Sequence, residues 1–254
     1  MIKPRKHIPE ETCARVGCAG WAVPKTGAAA FPLEGSHLKR YAARFNCVEI
    51  NSSFYRSHRP ATYERWAETV PVSFRFSVKL PRTITHHARL AGVSAQLDAF
   101  FAGAGALGDK LGWVLVQLPP SLRFETSVTQ RFLAMLRRRY AGRAAIEPRH
   151  PTWFMAIVDR LLVDYRVARV AADPAVVPAA AAPGGDLRGA YFRLHGSPEI
   201  YYSTYDSRFL AARAKQVRAL AANGTDVWCI FDNTALGAAT SNALEVMRRL
   251  VAAT

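Results

Sequence analysis

Short runs of β-forming residues alternate with helical patterns along nearly the whole chain of 254 residues. Eight such runs can be delimited, and most of them are followed by an amphipathic segment. They are residues 15–18, 47–50, 74–79, 113–118, 144–147, 168–171, 191–194 and 227–231. Eight strand–helix units in about 250 residues predict an α/β fold, a single (β/α)8 TIM barrel. A doubly wound open sheet is the alternative, but no glycine-rich GxGxxG turn follows the first run.

Helical periodicity is clearest in residues 60–70, 126–140, 206–222 and about 238–251. Asp or Ser at the start of the third of these segments is a potential N-cap. The sixth unit departs from the pattern, because residues 173–185 contain three prolines and end in two glycines. Proline interrupts a helix, so this unit is predicted to be irregular, either a loop or a degenerate helix.

The organisation predicted from these elements is an N-terminal tail over residues 1–14 and one barrel domain over residues 15–254. The first residues are basic, and no apolar segment follows them as it would in a secretory signal. No apolar stretch approaches the roughly 18 residues of a membrane-spanning helix, so no membrane partner is expected. The four cysteines are scattered without a CxxC pair, which is typical of free thiols in a reducing compartment. We therefore expect a cytoplasmic protein.

Polar residues alternate with apolar ones inside the predicted strands. In the third strand, Arg75, Ser77 and Lys79 alternate with Phe74 and Phe76. The apolar set of a barrel strand faces the helices, so the polar set is expected to point inward. The same parity places further polar residues inside the barrel, namely Glu49, Asn51, Gln117, Glu147, Arg193 and His195. Polar groups gathered at the carboxyl ends of barrel strands are typical of an active site.

The segments at the predicted strand ends form an ordered series. They read GCAGW at 17–21, EINSSFY at 49–55, KLP at 79–81, QLPP at 117–120, EPRHPTW at 147–153, RLHG at 193–196 and FDN at 231–233. This series resembles the YecE-like family, a group of TIM barrels catalogued as domain of unknown function seventy-two. The resemblance implies a TIM barrel with a polar pocket at its carboxyl face, and it implies no particular reaction. Residues 22–32 lack the Tyr and the Trp common in that family, so only Trp21 is carried over from the first loop.

Four residues are candidates for catalysis. Glu147 is the candidate general base, with its pKa set by neighbouring cations, and a structural ion pair is the alternative. His195 closely follows the seventh strand and is the candidate acid. Lys79 could form a Schiff base if desolvated, although a charge-paired or anion-binding lysine is favoured by its neighbours Arg75 and Glu49. Asp232 ends the eighth strand and faces either a substrate or a neighbouring loop.

A second set of residues is predicted to bind a ligand. Asn51, Gln117 and Asn233 suit the orientation of a polar molecule, whereas Trp21 and Tyr55 could stack on one. The remaining members are Arg149, His150 and Arg193. For His150, a hydrogen-bonded structural role is an equal alternative. The adjacent residues His86 and His87 are not assigned to the site, because a histidine pair in a loop is usually solvated.

No cofactor is predicted. Glu147, His150, Asp173, His195 and Asp232 include enough ligand types for a divalent metal ion, but no HxH or HxxxH spacing brings two of them together. We therefore assign no metal ligands.

Charge leaves two classes of function open. Lys and Arg number 34 and Asp and Glu 19, which gives a formal net charge of +15. Excess positive charge in the mouth favours an enzyme that hydrolyses or isomerises an anionic or phosphorylated small molecule. The alternative is a protein that binds or processes nucleic acid through basic runs such as residues 137–139 and 248–249. We favour the enzyme, because these runs lie on predicted outer helix faces and the excess of arginine is typical of coding bias.

Overall fold

A computed structural model describes residues 14–252 of the chain. The predicted tail lies outside these residues except for Ala14, which belongs to the first strand and not to the tail. The described part contains ten strands: β1 (Ala14–Cys18), β2 (Cys47–Ile50), β3 (Arg75–Lys79), β4 (Leu111–Gln117), β5 (Arg143–Glu147), β6 (Val167–Arg169), β7 (Ala171–Asp173), β8 (Gly184–Gly185), β9 (Gly189–Leu194) and β10 (Asp226–Phe231).

Seven α-helices lie between or after these strands in the described part: α1 (His37–Ala42), α2 (Pro60–Thr69), α3 (Ser94–Ala104), α4 (Thr126–Arg139), α5 (Ala156–Asp164), α6 (Ser207–Ala222) and α7 (Ala238–Val251). The four helices predicted from periodicity are present within one residue of their expected bounds. Asp206 is the N-cap of α6, and its carboxylate accepts a hydrogen bond from the backbone N–H of Phe209 at 2.7 Å. The sequence did not delimit α1, α3 and α5.

The strands form two sheets. One sheet has the order β1-β10-β9-β7, and the other has the order β2-β3-β4-β5-β6-β8. Within the described residues, every pair of neighbouring strands is parallel except β6 with the two-residue strand β8, which is antiparallel. The fold is therefore a mixed α/β fold with parallel sheets and helices, as the alternation in the sequence indicates.

The sixth unit is irregular, as predicted, and in two respects. The single strand expected at residues 168–171 is divided at Val170, so that β6 pairs with β5 and β7 pairs with β9. No α-helix follows; the segment instead contains a short 3-10 turn, Pro178–Ala181, and then β8. The prolines account for the missing helix, because they remove donors from the helical ladder.

Arg169 and Asp159 tie the irregular segment to the rest of the fold. The Arg169 guanidinium forms a two-point ion pair with Asp159, and it also donates to the carbonyl of Ala179 at 2.9 Å. Asp159 accepts a further hydrogen bond from the backbone N–H of Gly185. Gly185 has a φ of +63°, and a Cβ there would lie 2.5 Å from the carbonyl oxygen of Val167. Glycine is therefore required at this turn.

Apolar side chains form two clusters on opposite faces of the strands. The larger one packs the strands against the helices and includes Phe74 and Phe76. The smaller one draws on both sheets, and its centre is Tyr191, which stacks on Trp228 and meets Trp113 edge to face. Ser77 lies on this second face, because its hydroxyl is 2.8 Å from that of Tyr191. Ser77 therefore lies on the face opposite Phe74 and Phe76, in agreement with the predicted alternation of β3.

Cys18, Cys47 and Cys229 are buried and free, whereas Cys13 lies outside the described residues. Among the helices within residues 14–252, none combines the length and apolar content that crossing a bilayer requires.

Candidate functional site

Arg193 lies at the centre of a buried ionic cluster. Its side chain has no exposed surface, and its Nε and Nη2 donate to the two carboxylate oxygens of Glu49 at 3.0 and 2.7 Å. Nη1 donates to Oε2 of Glu147 at 2.7 Å, and Nη2 also donates to Oδ2 of Asp232 at 2.8 Å. The three carboxylates belong to β2, to β5 and to the residue after β10. One arginine therefore joins the strand ends of both sheets.

His195 completes this cluster by bridging two of the carboxylates. Its Nε2 lies 2.8 Å from Oε1 of Glu147, and its Nδ1 lies 3.0 Å from Oδ2 of Asp232. Nη2 of Arg149 also lies 3.1 Å from this Nε2, so the nitrogen faces both a carboxylate oxygen and a guanidinium group. We define the Arg193 cluster as Arg193, Glu49, Glu147, Asp232 and His195.

Two carboxylates of the cluster, those of Glu147 and Asp232, are held in their ionised form. Burial raises the pKa of Glu147, but Arg193, Arg149 and His195 outweigh burial and hold this pKa well below its usual value. For Asp232, burial again raises the pKa, and Arg193 together with His195 brings it below the ordinary value. A carboxylate with a lowered pKa holds a proton only weakly, so a proton that it takes from a ligand is readily passed on.

A cavity of about 470 Å³ adjoins the cluster at the carboxyl ends of the strands. Because strands of both sheets end here, residues far apart in sequence form one wall. Six of the residues predicted for the site line this cavity: Asn51, Tyr55, Lys79, Gln117, Arg149 and Asp232. Half of the twelve residues that the sequence predicted for the site therefore lie on this wall.

Lys79 differs from the charge-paired lysine that its neighbours suggested. Within residues 14–252, its Nζ makes no ion pair or hydrogen bond, and it lies over the ring of Phe54 at 4.2 Å from the centroid. Arg75 is turned elsewhere and donates to the carbonyls of Val72 and Phe74. Glu49 is already bonded to Arg193. Burial and Arg193 lower the pKa of Lys79 to about 8, although Glu49 and the other nearby carboxylates oppose this change.

Arg149 provides the second cation of the wall. Its Nη2 lies 2.8 Å from Oε1 of Glu147, and its Nε donates to the same oxygen at 3.1 Å. The guanidinium therefore links the cavity surface to the buried cluster.

Three predicted residues lie beneath the wall instead of on it. Glu147 and Arg193 have no exposed surface, and His195 is 1% exposed under the ring of Tyr201. Their effect on a bound molecule would pass through Asp232, Arg149 and Lys79.

The last three predicted ligand-binding residues do not line this cavity. Trp21 packs edge to face against Trp66, with ring centroids 4.9 Å apart. The Nδ1 of His150 accepts a hydrogen bond from the backbone N–H of Thr152 and so caps a short turn, which agrees with its structural alternative. Asn233 is buried and donates from Nδ2 to the carbonyl of Ser203, which holds the loop after β9.

The cavity also contains residues that sequence reasoning did not assign, notably Phe54, His86 and Tyr201. Of the histidine pair expected to be solvated, His87 is exposed, whereas His86 is half-buried and its ring meets that of Phe54 edge to face. Burial and the neighbouring cations, Lys79 foremost, lower the pKa of His86. Phe54 lies inside the EINSSFY segment, so its position in that motif was the available signal.

Asn51 carries an unused acceptor in the same region. Its Oδ1 is buried and has no hydrogen-bond partner among the described residues. Buried polar atoms are normally paired, so this oxygen is suited to a donor group on a bound molecule.

Metal ligands are not grouped in the described part of the chain, where no set of three or more His, Cys, Asp or Glu side chains could hold an ion. Arg193 and His195 occupy the space between the carboxylates of the cluster, and Asp173 accepts from the hydroxyl of Tyr205 at 2.8 Å.

Many of the basic residues proposed to follow phosphates are bonded within the protein. Arg137 donates four hydrogen bonds to backbone carbonyls at the ends of α4 and α5. Arg139 pairs with Asp98, and Arg249 pairs with Glu245. These three arginines therefore close helix ends and support neighbouring helices.

Relatives of known sequence share part of the chain. UPF0759 protein YecE of Escherichia coli strain K12 is 31% identical over 140 residues, which cover 55% of this chain and 49% of that protein. UPF0759 protein YunF of Bacillus subtilis strain 168 is 29% identical over 117 residues, or 41% of this chain and 39% of that one. The matched segment thus spans about half the length of YecE and less of YunF.

Solved structures match most of the fold. A DUF72 family protein from Enterococcus faecalis V583 superposes with a TM-score of 0.79 at 20% identity, covering 94% of this chain and 95% of that one. A DUF72 family protein from Thermotoga maritima MSB8 gives a TM-score of 0.78 at 24% identity, with 94% and 99% covered. The family described as "Protein of unknown function DUF72" matches residues 15–254. The family resemblance expected from the strand-end motifs is confirmed, and the chain belongs to the DUF72 family.

Proposed function

We propose that the protein is a TIM-barrel enzyme that carries out acid–base chemistry on a small anionic molecule. The observation that carries this proposal is the cavity wall at the strand ends. Two cations, Lys79 and Arg149, line this cavity together with the carboxylate of Asp232, and the ammonium of Lys79 has no polar partner among the described residues. Convergent polar groups in a concave site are the usual mark of a binding or catalytic centre.

The two sheets meet at two places, between β1 and β2 and between β6 and β7. Contacts at both places support closure of the sheets into one barrel. Between β1 and β2, Ala19 and Glu49 form a parallel bridge, and the N–H of Gly20 donates to the carbonyl of Glu49 at 2.9 Å. At the second place, β6 continues through Val170 directly into β7, and the two strands pair in different sheets. Counting β6 and β7 as one broken strand and setting β8 aside gives the eight strands of a barrel.

An anionic ligand fits the charge of the wall. Lys79 is close to the cavity but lacks a counterion, and burying an unpaired cation is unfavourable. A negative group on a ligand bound to Arg149 would offset this charge. Arg149 would donate a further charge-assisted hydrogen bond, since its contacts to Glu147 use only part of its five N–H groups.

We assign proton transfer to the Asp232–His195 pair. Oδ2 of Asp232 contacts Arg193 and His195, whereas Oδ1 has no hydrogen bond from a described residue and belongs to a wall residue. Oδ1 would accept a proton from the ligand, and His195 would exchange a proton with the carboxylate. Glu147 orients the opposite ring nitrogen. Glu147 is thus assigned to positioning in place of the base role expected from sequence, because it has no exposed surface.

Anion binding is tested by titrating the protein with inorganic phosphate in a calorimeter at low ionic strength. We expect saturable binding of one phosphate per chain, weakened about tenfold or more in Arg149→Gln because a charge-assisted hydrogen bond is lost. Arg138→Gln is the matched control, since Arg138 is exposed on α4. Equal affinities in the two variants, or no saturable binding, would contradict the proposed site.

Turnover is tested with a defined panel of hydroxy acids and sugar phosphates followed by proton and phosphorus NMR. Conversion of a panel member by the wild type and its loss in Asp232→Asn would support the assignment. Conversion that survives unchanged in Asp232→Asn would overturn it.

A further inference from the structure

We propose that the Nζ of Lys79 forms a covalent imine with the carbonyl carbon of a small anionic aldehyde or ketone bound in the cavity. This inference rests on the proposed function, because it names the substrate class of the same cavity. It adds a covalent step and a nucleophile to the acid–base chemistry.

Lys79 is the buried amine of the described part of the chain. The residue is 5% exposed, ends β3 and lines the cavity, with Phe54 beneath its ammonium group. Lys110 is different, because its Nζ donates to the backbone carbonyls of Ala67 and Val70. Lys25, Lys39 and Lys215 are exposed.

Lys79 can supply the neutral amine that attack on a carbonyl requires. Burial and the positive charge of Arg193 lower its pKa from 10.5 to about 8. At pH 7 this raises the fraction of neutral amine roughly 300-fold above that of an ordinary lysine. Desolvation in an apolar pocket and a nearby cation are the two usual means of activating a lysine nucleophile. Phe54 provides the apolar surroundings, and Arg193 provides the nearby cation.

No carboxylate sequesters the amine. Glu49, Glu147 and Asp232 lie near enough to oppose the lowering of its pKa, but each of them is bonded to Arg193 instead. The Arg193 cluster therefore engages these carboxylates, and none of them bonds to the Nζ of Lys79. The lack of a direct ion pair favours imine formation, because a tight ion pair would hold the amine in its protonated form.

His86 is placed to handle the proton. Its ring meets the same Phe54 edge to face at 5.0 Å, and its Nδ1 lies 2.8 Å from the hydroxyl of Thr85. Nε2 has no hydrogen-bond partner among the described residues. Since its pKa is lowered, His86 is neutral at pH 7 and can accept a proton.

The step balances without an oxidant or a reductant. The neutral amine adds to the carbonyl carbon, and the oxygen takes up a proton to give a carbinolamine. The hydroxyl then leaves as water while the carbon–nitrogen double bond forms. The two protons of the amine depart with the oxygen, and His86 transfers them. Arg149 would bind the anionic group of the same molecule.

The test is reductive trapping of the full-length protein with glyoxylate and sodium cyanoborohydride, followed by intact mass measurement and peptide mapping. We expect one adduct per chain at Lys79, saturable in glyoxylate, with a rate that rises with pH and has its midpoint near pH 8. Labelling at Lys79 should be at least 100-fold faster than at the exposed Lys215, within the same wild-type sample.

Variants separate this inference from the proposed function. Lys79→Arg should abolish the fast adduct, and Lys215→Arg should leave it unchanged. Arg149→Gln should raise the half-saturating glyoxylate concentration about tenfold. Adducts spread over exposed lysines with Lys79 unmodified would overturn the imine, and intact phosphate binding in that protein would show that the anion site survives. Absence of both the adduct and phosphate binding would overturn both proposals.

Discussion

The Arg193 cluster and the cavity wall beside it contain similar residue types but bond them very differently. In the cluster, Arg193 contacts three carboxylates and His195 bridges two of them. On the wall, the Nζ of Lys79 and the Oδ1 of Asn51 have no polar partner among the described residues. The two regions share Asp232, which uses one oxygen in the cluster.

This difference indicates a structural role for the cluster and a ligand-binding role for the wall. A buried charge whose hydrogen bonds are complete supports the fold, and removing its partner leaves an uncompensated charge. A buried polar group with an incomplete set of bonds costs stability and is retained where a ligand completes it. Removing a residue should therefore have opposite effects on stability in the two regions.

The largest expected effect is in the cluster. Glu147→Gln removes one counterion of Arg193, and we expect the free energy of unfolding to fall by about 3–5 kcal/mol. In a chain of this size, that corresponds to a drop in Tm of roughly 6–20 °C. Urea unfolding and a thermal melt beside the exposed control Glu64→Gln would measure it. A change below 1 kcal/mol would place Glu147 outside the structural network.

A substitution on the cavity wall is expected to change the free energy of unfolding in the opposite direction. Lys79→Met should raise the free energy of unfolding at pH 7 by up to about 3 kcal/mol, because the pKa lowering to about 8 measures the unfavourable burial of the ammonium. Below pH 8 the amine is charged in both folded and unfolded chains, so this gain is complete. Between pH 8 and 10.5 the folded protein loses its proton first, and the gain should shrink. A gain that does not change over this range would contradict the pKa assignment.

Acid should weaken the cluster progressively. Glu147 has a folded pKa well below the usual 4.5, so its contribution is complete above that pH and is lost as the pH falls toward the folded pKa. Stability should decline by up to about 1.4 kcal/mol per pH unit for this carboxyl. Urea unfolding from pH 6 to pH 3 should show the difference between wild type and Glu147→Gln narrowing below pH 4.5. A constant difference would show that the carboxylate charge is not the stabilising feature.

The smallest effect is expected at the basic helix surfaces. Because Arg137, Arg139 and Arg249 are bonded within the protein, random duplex DNA should bind no more tightly than about 10⁻⁶ M at physiological salt. Fluorescence anisotropy over a salt series would measure this. Sub-micromolar binding that persists near physiological salt would favour the nucleic-acid alternative over the enzyme.

Sequence patterns predicted most elements and the orientation of their polar residues. The alternation in β3 placed Ser77 on the side of Tyr191, because successive strand residues point to opposite faces. Three short helices were not delimited, since α1 and α5 span only 6 and 9 residues and α3 is weakly amphipathic. The sixth strand is divided at Val170 because its two parts pair with β5 and with β9. No local sequence pattern indicates this pairing.

By itself, the sequence determined the strand–helix alternation, the irregular sixth unit, the family and the set of polar residues that reach one end of the strands. These follow from local periodicity, from proline and from ordered motifs. Only the tertiary structure decided which charges are satisfied. Glu147 and Lys79 have the same parity in neighbouring parts of the sheet, yet Arg193, from the other sheet, pairs with Glu147 and leaves Lys79 without a partner. Pairing across such distances in sequence depends on side-chain geometry at about 3 Å, which residue types and spacing do not specify.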